Sequence, residues 1–136
     1  PEARAVLDAA DAACGGALLP LCFDGPEETL RDTRHAQPAI FAVSCAAAAA
    51  VRAAGIAPDA VAGHSIGEYA ALWAAGVFDL ETGLRIVRAR ADAMAAAAAQ
   101  RPGTMAAVLG LDADAVEGVC AGIDGVVVPA NLNCPG

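Results

Sequence analysis

The sequence predicts an α/β fold, and three observations carry that expectation. A short apolar run, Asp59 to His64, leads into the turn Gly63-His64-Ser65-Ile66-Gly67 and then into helical spacing. A long amphipathic helix follows, opened by Asp79, with Leu80, Leu84, Val87, Ala91, Met94 and Ala98 at alternating steps of four and three. Beyond the break Gln100-Arg101-Pro102-Gly103 the pattern becomes strand, helix, strand.

The elements follow in order. Residues 2–14 place Val6, Ala10, Ala13 and Cys14 on one helical face, and Gly15-Gly16 stops that helix. Asp24-Gly25-Pro26 is turn chemistry, with Pro26 opening a short helix through Arg31. Pro38 is expected to open an alanine-rich helix from Ala39 to Ala54, closed by Gly55. Its alanines could be mere low complexity, but Ile40, Phe41, Val43 and Val51 mark it as a core helix whose small residues permit close packing. Strand 59–64 precedes a helix from Ile66 to Ala75, ended near Gly76. After the break, Thr104–Leu111 reads as a strand. Asp112 caps a helix with Ala115, Val116, Val119 and Cys120 on one face, and Gly125–Ala130 reads as a strand. A subdomain boundary is expected at Arg101–Gly103, dividing residues 1–101 from 102–136.

Composition limits the partners. At 136 residues and 57 % hydrophobic, the chain fits one domain's size and can bury a core. A formal charge of −8 argues against nucleic acid and against anionic membrane surfaces, leaving small molecules and proteins. The five cysteines, Cys14, Cys22, Cys45, Cys120 and Cys134, lack the close pairs of a zinc site and read as reduced thiols of a cytoplasmic protein. The longest apolar run, Pro38 to Val51, is shorter than the ~20 residues of a bilayer span, and no signal peptide is read at the start.

Ser65 is the candidate nucleophile. At a strand-to-helix turn a serine takes a strained backbone conformation that lifts its hydroxyl clear, and Gly63 and Gly67 are expected to remove side chains that would collide. The Ile66 amide, opening the next helix, points where an oxyanion would form. The other reading of Ser65 is a helix cap. A nucleophilic serine needs a base, and the only histidines are His35 and His64. His64 adjoins Ser65 and is better placed to shape the wall beside it. His35 reads as a solvated loop histidine, so the base is unidentified. On the long helix, Glu81, Arg85, Arg88 and Asp92 project to a solvated flank where Glu81 and Arg85 suit an i,i+4 pair. Arg90 projects to the other flank, with no acidic residue one turn away. Its planar fork suits a carboxylate, though it could equally lay its stem over apolar surface and reach water.

Gly63-His64-Ser65-Ile66-Gly67-Glu68-Tyr69 resembles the nucleophile motif of malonyl-CoA:acyl carrier protein transacylases and of the acyltransferase domains of polyketide and fatty acid synthases. Gln37-Pro38-Ala39, Ala75-Gly76-Val77, Arg88-Ala89-Arg90 with Met94, Gly103-Thr104-Met105 and Asn131-Leu132-Asn133-Cys134-Pro135-Gly136 are similar to that family's other landmarks, in order and spacing. Arg90 stands 25 residues after Ser65, as the family's carboxylate-binding arginine does.

The resemblance implies a hydrolase-like parallel-sheet large subdomain with a nucleophile elbow, residues 1–101, and part of a small ferredoxin-like subdomain, residues 102–136. It implies malonyl transfer from coenzyme A to the phosphopantetheine thiol of an acyl carrier protein through an ester on Ser65. Ile66 would supply an oxyanion amide. Arg90, His64, Gln37, Asn131 and Asn133 would line the substrate site. The coenzyme A thioester is substrate, and no cofactor or metal is implied. Cys134 stands where the family commonly has serine. The family's oxyanion glutamine and catalytic histidine fall outside these residues, so the 136 residues alone are expected to be inactive. Two other readings stay open: a serine esterase or thioesterase-type hydrolase that gives the acyl group to water, and a non-catalytic interaction module.

Overall fold

A computed structural model describes residues 1–134. By internal contacts the chain divides into two compact units, Pro1–Pro102 and Gly103–Gly136. The first holds α1 (Glu2–Ala13), α2 (Leu18–Asp24), α3 (Glu27–Arg31), α4 (Thr33–Ala53), α5 (Gly67–Ala74) and α6 (Leu80–Gln100); the second holds α7 (Ala113–Ala121).

The first unit is organised around α4, against which α1, α2, α3, α5 and α6 all pack. Its inner face carries Pro38, Ala39, Phe41, Ala42, Cys45 and Ala46, and these meet Ala10 of α1, Leu18 of α2, and Leu84 and Val87 of α6. Small residues on α4 and Gly83 on α6 let the helices approach closely. A Cβ at Gly83 would lie 2.5 Å from the Phe41 ring and 2.8 Å from that of Phe78, so both aromatics rest on the α6 backbone. Each fully buried Phe, Leu or Val side chain contributes roughly 1.5–3 kcal/mol.

Several elements start where local chemistry says they should. Asp79 caps α6 by accepting from the Thr82 N–H at 2.8 Å, and Asp112 caps α7 by accepting from the Ala115 N–H at 2.8 Å. The Thr82 backbone hydrogen bond holds the Asp79 carboxyl below its ordinary pKa. Gly15, Gly16, Gly55 and Gly76 take positive φ just beyond helix ends.

The departures have physical causes. Helix α2 was not expected: Leu18–Asp24 has no polar face to set a period, and its cap comes from α1, whose Asp11 carboxylate accepts the Leu19 N–H at 2.9 Å. Helix α4 begins at Thr33, not after Pro38, because Asp32 accepts the Arg34 N–H at 2.8 Å. Pro38 therefore sits inside the helix, where it gives up the hydrogen bond to the Arg34 carbonyl and buries its ring in the core. His35 is consequently helical rather than in a loop, though exposed. With these residues α4 reaches 21 residues, and its most apolar 18-residue window has a mean hydropathy of 1.3, long and apolar enough for a bilayer span, yet its inner face is the core of this unit. Ile40, Val43 and Val51, read as core markers, are 48 %, 55 % and 45 % exposed, because only the Phe41 side of α4 meets other helices. Glu81 and Arg85 do not pair.

No strand forms among the described residues, and segments 59–64, 104–111 and 125–130 are irregular. Among the described residues, the backbone groups of 57–63, 102–111 and 124–134 make no backbone hydrogen bond. A strand draws every ladder bond from a neighbour, unlike a helix.

Candidate active site

Residue Ser65 is the one described non-glycine residue with positive φ, at +53°. A left-handed serine costs of order 1–3 kcal/mol and persists only where its surroundings enforce it. Those surroundings are the turn into α5: the His64 carbonyl accepts the Gly67 N–H at 2.9 Å and the Ser65 carbonyl accepts the Glu68 N–H at 3.2 Å. Gly63 makes the closure possible. A Cβ there would lie 2.2 Å from the Gly67 carbonyl carbon and oxygen and 2.3 Å from the Glu68 nitrogen, backbone atoms that cannot swing away. Gly67 differs from expectation, since a Cβ there would meet nothing within 4 Å and this glycine relieves no collision. Ile66 is the helical N-cap residue of α5, and its N–H makes no hydrogen bond among the described residues.

Three helices bring polar groups to Ser65. Arg90 of α6 donates from Nη2 to the Ser65 Oγ at 2.9 Å and from Nη1 to Gln37 Oε1 of α4. Its guanidinium carbon stands 5.8 Å from the centroid of the Tyr69 ring, one turn along α5 from Ser65. No carboxylate among the described residues lies within ion-pairing distance of Arg90. The Arg90 head is thus engaged with Gln37 and Ser65. Its neighbours on the opposite flank are committed elsewhere. Arg88 donates to the Ala13 carbonyl at 3.4 Å, and Asp92 pairs with Arg34 at 3.3 Å.

Gln37 is 6 % exposed, and its Nε2 donates to Thr33 Oγ1 at 2.5 Å and to Met94 Sδ at 3.3 Å. Thr33 and Tyr69 thus join the site without having been singled out. Thr33 was hidden because the helix was expected to open five residues later, whereas Tyr69 carried a signal in its i+4 spacing from Ser65. His64 and His35 are exposed, and neither hydrogen-bonds the Ser65 hydroxyl. Asn131 and Asn133 belong to the second unit, exposed and outside any helix. A concavity of about 960 Å³ between α1 and α6 is lined by Ala9, Ala13, Leu84, Arg85 and Arg88 and includes neither Ser65 nor Arg90. No three His, Cys, Asp or Glu side chains come together among the described residues.

A serine at a strained turn thus stands beside an arginine that has no carboxylate partner among the described residues. Comparison with known proteins agrees on the family: residues 1–135 match the acyl transferase domain. The chain belongs to that family.

Within it, this acyl transferase sequence is similar to the malonyl CoA-acyl carrier protein transacylase of Bacillus subtilis (strain 168), 41 % identical over 139 aligned positions that cover 100 % of this chain and 44 % of the relative. Among solved structures it is similar to the malonyl-CoA:acyl carrier protein transacylase of Xanthomonas oryzae pv. oryzae, with a TM-score of 0.78 and 41 % identity over 89 % of this chain and 39 % of that one. A malonyl-transacylase solved in complex with a type II polyketide synthase acyl-carrier protein gives a TM-score of 0.77 and 34 % identity over 89 % of this chain and 40 % of that one. The chain thus shares the fold of a segment of these α/β acyltransferases and spans less than half their length.

Proposed function

We propose that this chain is the part of a malonyl-CoA:acyl carrier protein transacylase, or of a synthase acyltransferase domain, that carries the nucleophile and the carboxylate clamp. The observation that carries the proposal is the Arg90 guanidinium, held against Ser65 Oγ with no carboxylate to neutralise it. The names of the similar proteins support the same substrate and the same carrier-protein partner.

In this reading the malonyl carboxylate takes over the Arg90 Nη2 donor that rests on Ser65 Oγ, an ion pair in place of a bond to a neutral hydroxyl. That exchange frees the serine lone pair. Ser65 Oγ then attacks the thioester carbonyl, forming a C–O bond while the carbonyl π pair moves onto oxygen, where the Ile66 N–H receives it. Collapse breaks the C–S bond, and coenzyme A leaves as a thiol with the proton that Ser65 gave up to a base. The phosphopantetheine thiol of the carrier protein repeats these steps in reverse and restores Ser65. His64 lines the substrate wall, Asn131 and Asn133 approach from the small subdomain, and the thioester itself is the only coenzyme involved.

The finer fold assignment goes with it: a parallel sheet through 59–64 for residues 1–101, and a ferredoxin-like subdomain for residues 102–136, in a cytoplasmic enzyme. The pairing partners that these segments lack among the described residues would then come from the part of the fold this stretch does not span. In the full-length protein, radiolabelled malonyl-CoA should esterify Ser65 and pass to carrier protein, and Ser65→Ala should abolish the ester. Release of free malonate with no carrier loading would assign hydrolysis instead, and an unreactive Ser65 would leave an interaction module.

A further inference from the structure

Gln37 makes three contacts through its buried amide, and two of the partners fix which way it points. Arginine can only donate, so the atom facing Arg90 must be the amide oxygen. The Met94 sulfur has no hydrogen to give, so the atom facing it at 3.3 Å must be the amide nitrogen, and the Thr33 hydroxyl accepts from that nitrogen at 2.5 Å. A flipped amide would set two donors against each other at Arg90 and two acceptors at Met94.

What distinguishes glutamine here from its isostere glutamate is charge. A carboxylate at this distance would pair with the guanidinium and use the charge that a ligand needs; an amide oxygen orients the fork and leaves the charge whole. The face of the Tyr69 ring steadies the same cation without neutralising it. We infer that Gln37, its amide locked by Thr33 and Met94, is a positioning and specificity-determining residue that holds Arg90 beside Ser65 with its charge free for a carboxylated acyl group. This rests on the reading of Ser65 as the acceptor of such a group. It also moves Gln37 from direct substrate contact to acting through Arg90.

The test is acyl-enzyme formation from malonyl-CoA and from acetyl-CoA in the full-length protein, comparing wild type, Gln37→Glu, Thr33→Val and Thr33→Ser. Gln37→Glu should lower the malonyl-to-acetyl preference about ten- to a hundredfold, as expected for loss of a charge-assisted bond. Thr33→Val should lower the preference by about threefold or more, and Thr33→Ser should restore it, since only the hydroxyl is needed. The Thr33 pair carries the test if Gln37→Glu does not fold. Wild-type preference in Gln37→Glu, or equal preferences in the two Thr33 variants, would overturn the role of Gln37 while leaving malonyl transfer intact. A wild type that loads no malonyl group would overturn both.

Discussion

Both sides of residue 102 are rich in alanine, valine and leucine, yet they use those residues differently. Before it, Phe41, Cys45, Leu84 and Val87 are fully out of water, and the helices that carry them enclose one another. After it, no residue of 103–134 is buried: Met105 is 75 % exposed, Leu109 82 % and Val126 95 %. The difference lies in how each element satisfies its backbone. A helix closes its own hydrogen bonds and can then offer an apolar stripe to a neighbour, whereas a strand has neither bonds nor a face until another strand lies beside it. The site follows the same division, since Ser65, Gln37 and Arg90 are all held by helices of the first unit.

The largest test of that contrast pairs Phe41→Ala with Val126→Ala. In the 136-residue chain, truncating Phe41 should cost about 3–5 kcal/mol in denaturant unfolding, and truncating Val126 should change stability by less than about 0.5 kcal/mol. A comparable loss at Val126 would mean that the second unit buries a core after all. At the site, Gly63→Ala should abolish Ser65 acylation in the full-length protein because its Cβ would strike the Gly67 and Glu68 backbone, while Gly67→Ala should leave acylation within about twofold. Equal effects would break the assignment of the close approach to Gly63 alone.

Capping offers a smaller contrast. Asp32→Ala should cost about 1 kcal/mol and leave α4 formed, because packing on five other helices holds it. Asp112→Ala should instead melt α7, nine residues without a packed face, and amide exchange should read this directly. The smallest effect is chemical. Burial pushes the Cys45 thiol up to about 12, so iodoacetamide near pH 8 should modify the exposed Cys134 readily and spare Cys45 until the chain unfolds. Since the unfolded thiol ionises first as pH rises, Cys45 should also make the fold lose stability above about pH 9. Rapid alkylation of Cys45 would show the α4 face to be open.

Much of this was legible residue by residue. The Asp79 and Asp112 caps, the glycine stops and the stripe through Leu84, Val87 and Ala91 act within a turn or two of the chain, and the turn at Ser65 is written in Gly63 and the helix behind it. Less local features were not. Helix α2 depends on a carboxylate from α1, α4 starts five residues earlier than its proline suggests, and Ile40, Val43 and Val51 match a core pattern but stay about half exposed. The Gln37–Arg90 contact spans 53 residues, beyond any periodic signal.

By itself, the sequence determined where α6 and α7 begin, which glycines stop the helices, which serine sits at the strained turn, and that Arg90 lacks an acidic partner on its own helix. Tertiary structure decided the rest: which face of α4 is core, and that Arg90 turns to Ser65 and Gln37. Caps, stops and periodicity are interactions between near neighbours in the chain, whereas core faces, ladders and sites are interactions between distant ones, settled only when those segments meet.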